Sequence, residues 1–173
     1  MVGRFDFPES VMTKRMVLAA LLFACGHAWA NDLAVEYQLA STTALSNPHD
    51  VKLSPDGRYL FVSDVGNNRV VLLDPETLDF VAEFGADHQS GTHDVDFDAQ
   101  GKAYVADTHN NRVTIYRMAG TQATLTGELK GRVRGPEGVL NHSNGVVYVA
   151  GAWSGNVVAY RNGQVVNELG GLS

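Results

Sequence analysis

The chain has 173 residues, a formal charge of −6 and a single cysteine. Its 13 Lys and Arg residues are scattered, which argues against nucleic acid as a partner. One cysteine excludes an internal disulfide framework, so stability has to come from packing.

The first 30 residues read as an export signal. Lys14 and Arg15 form a basic start, Met16–Cys25 is apolar, and Ala28-Trp29-Ala30 is an A-x-A cleavage site. This is the pattern of a signal peptide cleaved after Ala30, leaving a mature chain that begins at Asn31. The apolar stretch is shorter than the ~20 residues a spanning helix needs. The expected location is periplasmic or secreted. Met1, Met12 and Met16 all remain open as the translation start. Leu22-Phe23-Ala24-Cys25 loosely matches a lipoprotein box, and a membrane partner follows only if Cys25 is lipidated. If cleavage falls after Ala30, the mature chain has no thiol nucleophile. Residues 31–46 read as an N-terminal strand, Leu33–Ala40, and a lead-in.

From residue 47 the chain repeats itself. HDVKLSPDGRYLFVSDVGNNRVVLLD starts at His49, HDVDFDAQGKAYVADTHNNRVTIYRM at His93, and the looser PEGVLNHSNGVVYVAGAWSGNVVAYR at Pro136. Asp50, Asp94 and Glu137 fall in one column, Asp64, Asp107 and Gly151 in a second, and Val70, Val113 and Val157 in a third. A fixed period of this size marks a unit that cannot bury its own apolar face and must stack on its neighbours. Within each unit, β-branched and aromatic runs alternate with turn signals such as Ser54-Pro55-Asp56-Gly57, Gly66-Asn67-Asn68 and Asn162-Gly163. Four strands are expected per unit, in the first near His49–Leu53, Tyr59–Ser63, Arg69–Leu73 and Phe80–Phe84. The third unit has its own outer strand near Gln164–Leu169. The fold class is therefore all-β, with four-stranded antiparallel meanders as β-propeller blades at about 47–89, 90–134 and 135–173.

The segments PHDV and YVADTHNNRV, with the glycine that closes each unit, resemble NHL repeats. The first unit is also similar to the YVTN type of bacterial propeller repeat. The resemblance implies an exported, six-bladed bacterial propeller, of which three blades are present. The expected reading is a truncated half of a longer protein. Its rival is a homodimer of two halves closing one ring. An incomplete ring would leave the faces of its end blades exposed.

A meander places the loop before each inner strand and the loop between its second and third strands on one face. That face collects His49, Asp50, His88, His93, Asp94 and Glu137 from the lead-in loops. Asp64, Asn67, Asp107, His109, Asn110 and Trp153 come from the other set. The ligand-face candidates are His49, Asp50, His93, Asp94, His109, Glu137 and Trp153. Neutral imidazoles and carboxylates are ligands for divalent metals, so His49 and His93 are candidates to hold Zn or Ca. The layout is similar to that of NHL-type peptidyl-hydroxyglycine amidating lyases, and the resemblance implies zinc histidines at the positions of His49 and His93. The plainer reading makes such residues braces for loop backbone. Asp64 and Asp107 are expected to accept N–H groups of the turns that follow them. Arg69 and Arg112 are expected to pair between blades, and His109 to be solvated in its turn. Trp153 is open to stacking on a ligand or packing on the next blade. His142 is expected on the opposite face. Function is left between an exported binding or scaffold module and a metal-dependent propeller lyase or hydrolase. Its partner would be a protein or small molecule at the channel mouth. A redox-partner role lacks a haem-attachment motif.

Overall fold

Strand pairing in the computed structural model follows the repeat from one unit to the next. The structure describes residues 42–171, which lie within one unit beginning at Gln38. The signal segment, the strand expected at Leu33–Ala40 and the last two residues lie outside the described residues. The first sheet is β1 (Pro48–Leu53), β2 (Leu60–Asp64), β3 (Arg69–Leu73) and β4 (Phe80–Phe84). The second is β5 (Thr92–Phe97), β6 (Ala103–Asp107), β7 (Arg112–Ala119) and β8 (Gln122–Leu129). The third is β9 (Pro136–Asn141), β10 (Val146–Gly151), β11 (Asn156–Arg161) and β12 (Gln164–Gly170). Each is a four-stranded antiparallel meander in sequential order. The helical backbone among the described residues amounts to two 3-10 turns, Val65–Asn67 and Thr108–Asn110.

The strand register corrects one column of the repeat. Pro48, Thr92 and Pro136 pair with Asp64, Asp107 and Gly151. Glu137 therefore stands where His49 and His93 stand, and Gly138 replaces Asp50 and Asp94. Because side chains alternate across a strand, a slip of one residue moves a group to the other face.

The sheets stack through alternating apolar side chains. Phe61, Val70 and Leu72 of the first sheet meet Val95, Val105 and Tyr116 of the second. Val113 and Leu129 of the second meet Val139, Val149, Val158 and Tyr160 of the third. The innermost strands β1, β5 and β9 lie side by side. Their edges are tied by carboxylates. Asp94 Oδ2 accepts from Val139 N at 2.6 Å and Asp96 Oδ2 from Asn141 N at 2.6 Å. An inner strand would otherwise leave these edge N–H groups unpaired.

A second tie uses left-handed asparagines. Asn68 and Asn111 have φ of 57° and 53°. Their Oδ1 atoms accept from Gly91 N at 2.7 Å and Gly135 N at 2.9 Å, each on the lead-in to the next sheet. Asn111→Ala should cost about 1–2 kcal/mol, because it loses the bond and puts a Cβ-bearing residue without a local partner at positive φ. Asn111→Gly keeps the backbone conformation and should cost less. Urea melts of the two variants separate the contributions.

Candidate functional site

The lead-in loops and the β2–β3 type turns meet on one face because each turn binds its own lead-in. Gly66 N donates to Ser46 O, His109 N to Ser90 O and Trp153 N to Arg134 O. Below these contacts sit the fully buried carboxylates Asp64 and Asp107. Asp107 accepts from Ser90 N at 2.7 Å, from Asn110 Nδ2 at 3.0 Å to each oxygen, and from Arg112 Nε at 2.7 Å. Asp64 repeats the set with Ser46 N, Asn67 and Arg69. Their backbone partner is thus the lead-in loop and not the following turn. Arg69 and Arg112 also differ from expectation. Arg69 pairs with Asp64 and Glu83 and Arg112 with Asp107 and Glu128, all within one sheet. Their guanidinium groups bind Ala44 O and His88 O, which anchors each lead-in segment.

His49 and His93, from adjacent sheets, come together with ring centroids 4.6 Å apart, edge to face. His49 is exposed and His93 half-buried. Thr108 Oγ1 donates to Pro136 O at 2.6 Å. Its one proton is therefore committed, and it can only accept from His93 Nδ1 at 2.7 Å. Gly91 O, 3.0 Å from the same nitrogen, is also an acceptor. The neutral ring is thus held with its proton on Nδ1 and its lone pair on Nε2. Glu137, half-buried, occupies the equivalent place on the third sheet.

One step along the same strands, Asp50 and Asp94 share a hydrogen bond. Burial, followed by this bond and the Asp50 charge, pushes Asp94 up to about 7 despite the opposing N–H of Val139. Two residues further, Lys52 Nζ lies 2.9 Å from Asp96 Oδ1. The bond to Asp96 raises the lysine pKa. Lys52 and Asp96 were not singled out from sequence. Their signal was the period of two that carries a strand back to the same face.

His109 and Trp153, exposed and equivalent on neighbouring sheets, lie nearly parallel with centroids 5.7 Å apart. His109 Nδ1 also meets Ser90 Oγ at 3.2 Å. Trp153 thus packs on the adjacent sheet's histidine and remains 44% exposed. His88 sits away from these groups, between Asp87 Oδ1 and Tyr116 Oη, at 2.6 Å from each. His142 lies on the β9–β10 turn at the opposite end of the strand.

The metal expectation meets a short donor set. Catalytic zinc takes three protein ligands. Among the described residues no three His, Cys, Asp or Glu side chains gather as a metal-binding group. The two imidazoles alone do not fit Zn, and a pair of nitrogens does not fit the oxygen shell of Ca.

Residues 35–127 match the family described as lactonase, 7-bladed beta-propeller. The chain belongs to this family. The likeness to propeller repeats therefore holds at the level of the β-propeller. No curated protein matches the chain. Among solved structures it is similar to a candidate 6-phosphogluconolactonase from Bacteroides fragilis, at 16% identity and a TM-score of 0.62, over 72% of this chain and 39% of that one. Periplasmic gluconolactonase from Pseudomonas aeruginosa gives 18% identity and a TM-score of 0.58, over 72% and 39%. Virginiamycin B lyase from Staphylococcus aureus gives 14% and 0.58, over 72% and 41%. At these identities the likeness shows the fold. The chain spans about two fifths of the length of these structures.

Proposed function

We propose that this chain is part of an exported propeller lactonase, with seven blades as its family description has it rather than the six that the NHL likeness implies. The observation that carries the reading is the fixed tautomer of His93 at the channel mouth. An Nε2 lone pair, held in place from behind by Thr108, is the arrangement a general base requires. Nε2 takes a proton from water as the water oxygen attacks the lactone carbonyl. The ring C–O bond then breaks, and the imidazolium returns its proton to the departing alkoxide. One lactone and one water give one hydroxy acid. Export is supported by the basic start, apolar run and A-x-A of the first 30 residues.

The test is hydrolysis of glucono-δ-lactone followed by base consumption at constant pH. His93→Ala should lower kcat/KM by about a hundredfold, at the low end of general acid–base contributions. Thr108→Val should lower it less, by freeing the tautomer. Turnover no faster than buffer, or a His93→Ala rate equal to the parent's, removes the lactonase reading. Lactone binding without turnover would instead support an exported binding module at the same mouth.

A further inference from the structure

The turn after the second strand of each sheet carries a different residue at one equivalent place: Gly66, His109 and Trp153. Strand register makes the three equivalent, each two places beyond Asp64, Asp107 or Gly151. Each donates its N–H to the lead-in loop beside it, at Ser46 O, Ser90 O and Arg134 O. The lead-in residue after that acceptor changes in step. It is Asn47 beside Gly66, Gly91 beside His109 and Gly135 beside Trp153. All three have positive φ, 53°, 71° and 57°. Asparagine visits that conformation, as Asn47 does, so φ alone does not call for glycine at 91 and 135. The rings do. A Cβ on Gly91 would come within 3.0 Å of two atoms of the His109 imidazole, and one on Gly135 would overlap Cγ, Cδ1 and Cδ2 of the Trp153 indole. Glycine stands in the lead-in wherever an aromatic ring lies against it.

The two rings form an open ledge. They are nearly parallel, 17° apart, with centroids at 5.7 Å. His109 is exposed, and Trp153 keeps 44% of its surface open. A large exposed aromatic is the informative exception on a protein surface. The fold does not require it here, because the first sheet makes the same turn and the same lead-in bond with Gly66 and Asn47. The ledge adjoins the base. Thr108, which holds His93 through Oγ1, is followed directly by His109, and the Pro136 carbonyl that accepts the Thr108 proton directly follows Gly135. The ledge lies on the third-sheet side of His93, whereas His49 meets His93 from the first-sheet side. Polar groups border it. Ser90 Oγ is 3.2 Å from His109 Nδ1, and the exposed Arg134 and half-buried Glu137 stand within two residues of Gly135.

Resting on the lactonase reading, we propose that this ledge is a sugar subsite. It takes the glycosyl ring of a disaccharide lactone while the lactone ring lies at His49 and His93. One face of a glucopyranose ring presents axial C–H groups, which pack on the electron-rich face of an indole. Its hydroxyl rim needs donors and acceptors, which Arg134, Ser90 and Glu137 supply. A purely aromatic ligand would use the rings and leave this polar border unused.

The probe is cellobiose, the sugar framework of such a lactone without the reactive carbonyl, added to the full chain. Saturation transferred from the protein should reach the C–H protons of its non-reducing ring, with a Kd in the low millimolar range. It should not reach sorbitol, which has the hydroxyls and no ring. Gly135→Asn combined with Trp153→Gly gives the third sheet the pair with which the first already folds, and should weaken cellobiose about tenfold. Trp153→Ala serves if the double variant does not fold, and Trp153→Phe, which keeps an aromatic face, should retain most of the binding. In hydrolysis the parent should favour cellobiono-δ-lactone over glucono-δ-lactone about tenfold in kcat/KM, and the double variant should lose that preference. No saturation transfer to cellobiose overturns the subsite. So does a folded double variant that binds cellobiose as the parent does, or an equal kcat/KM for the two lactones in a parent that hydrolyses both. Cellobiose binding without turnover of either lactone removes the lactonase reading alone and leaves the sugar subsite in place.

Discussion

Asp107→Ala should destabilise the protein by about 3–5 kcal/mol, the cost of removing one partner from a buried ion pair. The carboxylate is fully buried and accepts hydrogen bonds from three segments: Ser90 N on the lead-in, Asn110 in the turn and Arg112 on β7. Alanine leaves the guanidinium without its buried counter-charge and the Ser90 N–H without an acceptor. Asp107→Asn keeps an oxygen for Ser90 N and should cost less. Because domains are commonly stable by about 5–15 kcal/mol, the alanine change removes a large fraction of the total. The loss should appear as a lower midpoint in guanidinium melts at unchanged slope. A cost below about 1 kcal/mol would mean that the turn and lead-in hold each other without the carboxylate.

This carboxylate also marks how far sequence carries the fold. The strands around it were legible because β-branched runs alternate with Gly and Asn turns at a fixed period. Arg69–Leu73 and Phe80–Phe84 occur at the expected bounds. A buried structural role for Asp64 and Asp107 was legible too, since each ends a strand before an Asn-Asn-Arg turn. Their backbone partners were not. Which N–H groups they cap depends on how the lead-in loop folds over the turn, and that contact spans 17 or 18 residues. Glu137 shows a different limit. Charge similarity pairs it with Asp50 and Asp94, whereas register, with bulges in β1, β5 and β9, pairs it with the histidines. The meeting of His49 with His93 follows from their equal places on adjacent inner strands. The tautomer of His93 does not, because Thr108 reaches it from a turn 15 residues away.

Asp94→Asn should flatten the pH dependence of stability between about pH 4 and pH 7. In the folded protein the Asp94 carboxyl is pushed up to about 7, whereas in the unfolded chain it titrates near ~3.9. Below about pH 4 both states hold the proton and the group makes no difference. As pH rises through this window the unfolded chain releases its proton first. The folded state then binds more protons, and stability falls with rising pH. Above about pH 7 both states are ionised and the slope ends. A tenfold difference in proton affinity between the two states is worth ~1.36 kcal/mol. With solvent screening of this partly exposed group, the loss should be on the order of 2–3 kcal/mol. Asparagine imitates the neutral acid, since its oxygen can accept from Val139 N and its amide can donate to Asp50. It should therefore equal the parent at about pH 4 and exceed it at about pH 8. Asp50→Asn should narrow the window without closing it, because burial is the larger cause of the raised pKa and the carboxylate neighbour the smaller. Subtracting the Asp94→Asn curve from the parent's isolates this group from His49 and His93, which remain in both proteins. Parallel curves across the window would show that Asp94 ionises normally, and that the two inner strands meet there without sharing a proton.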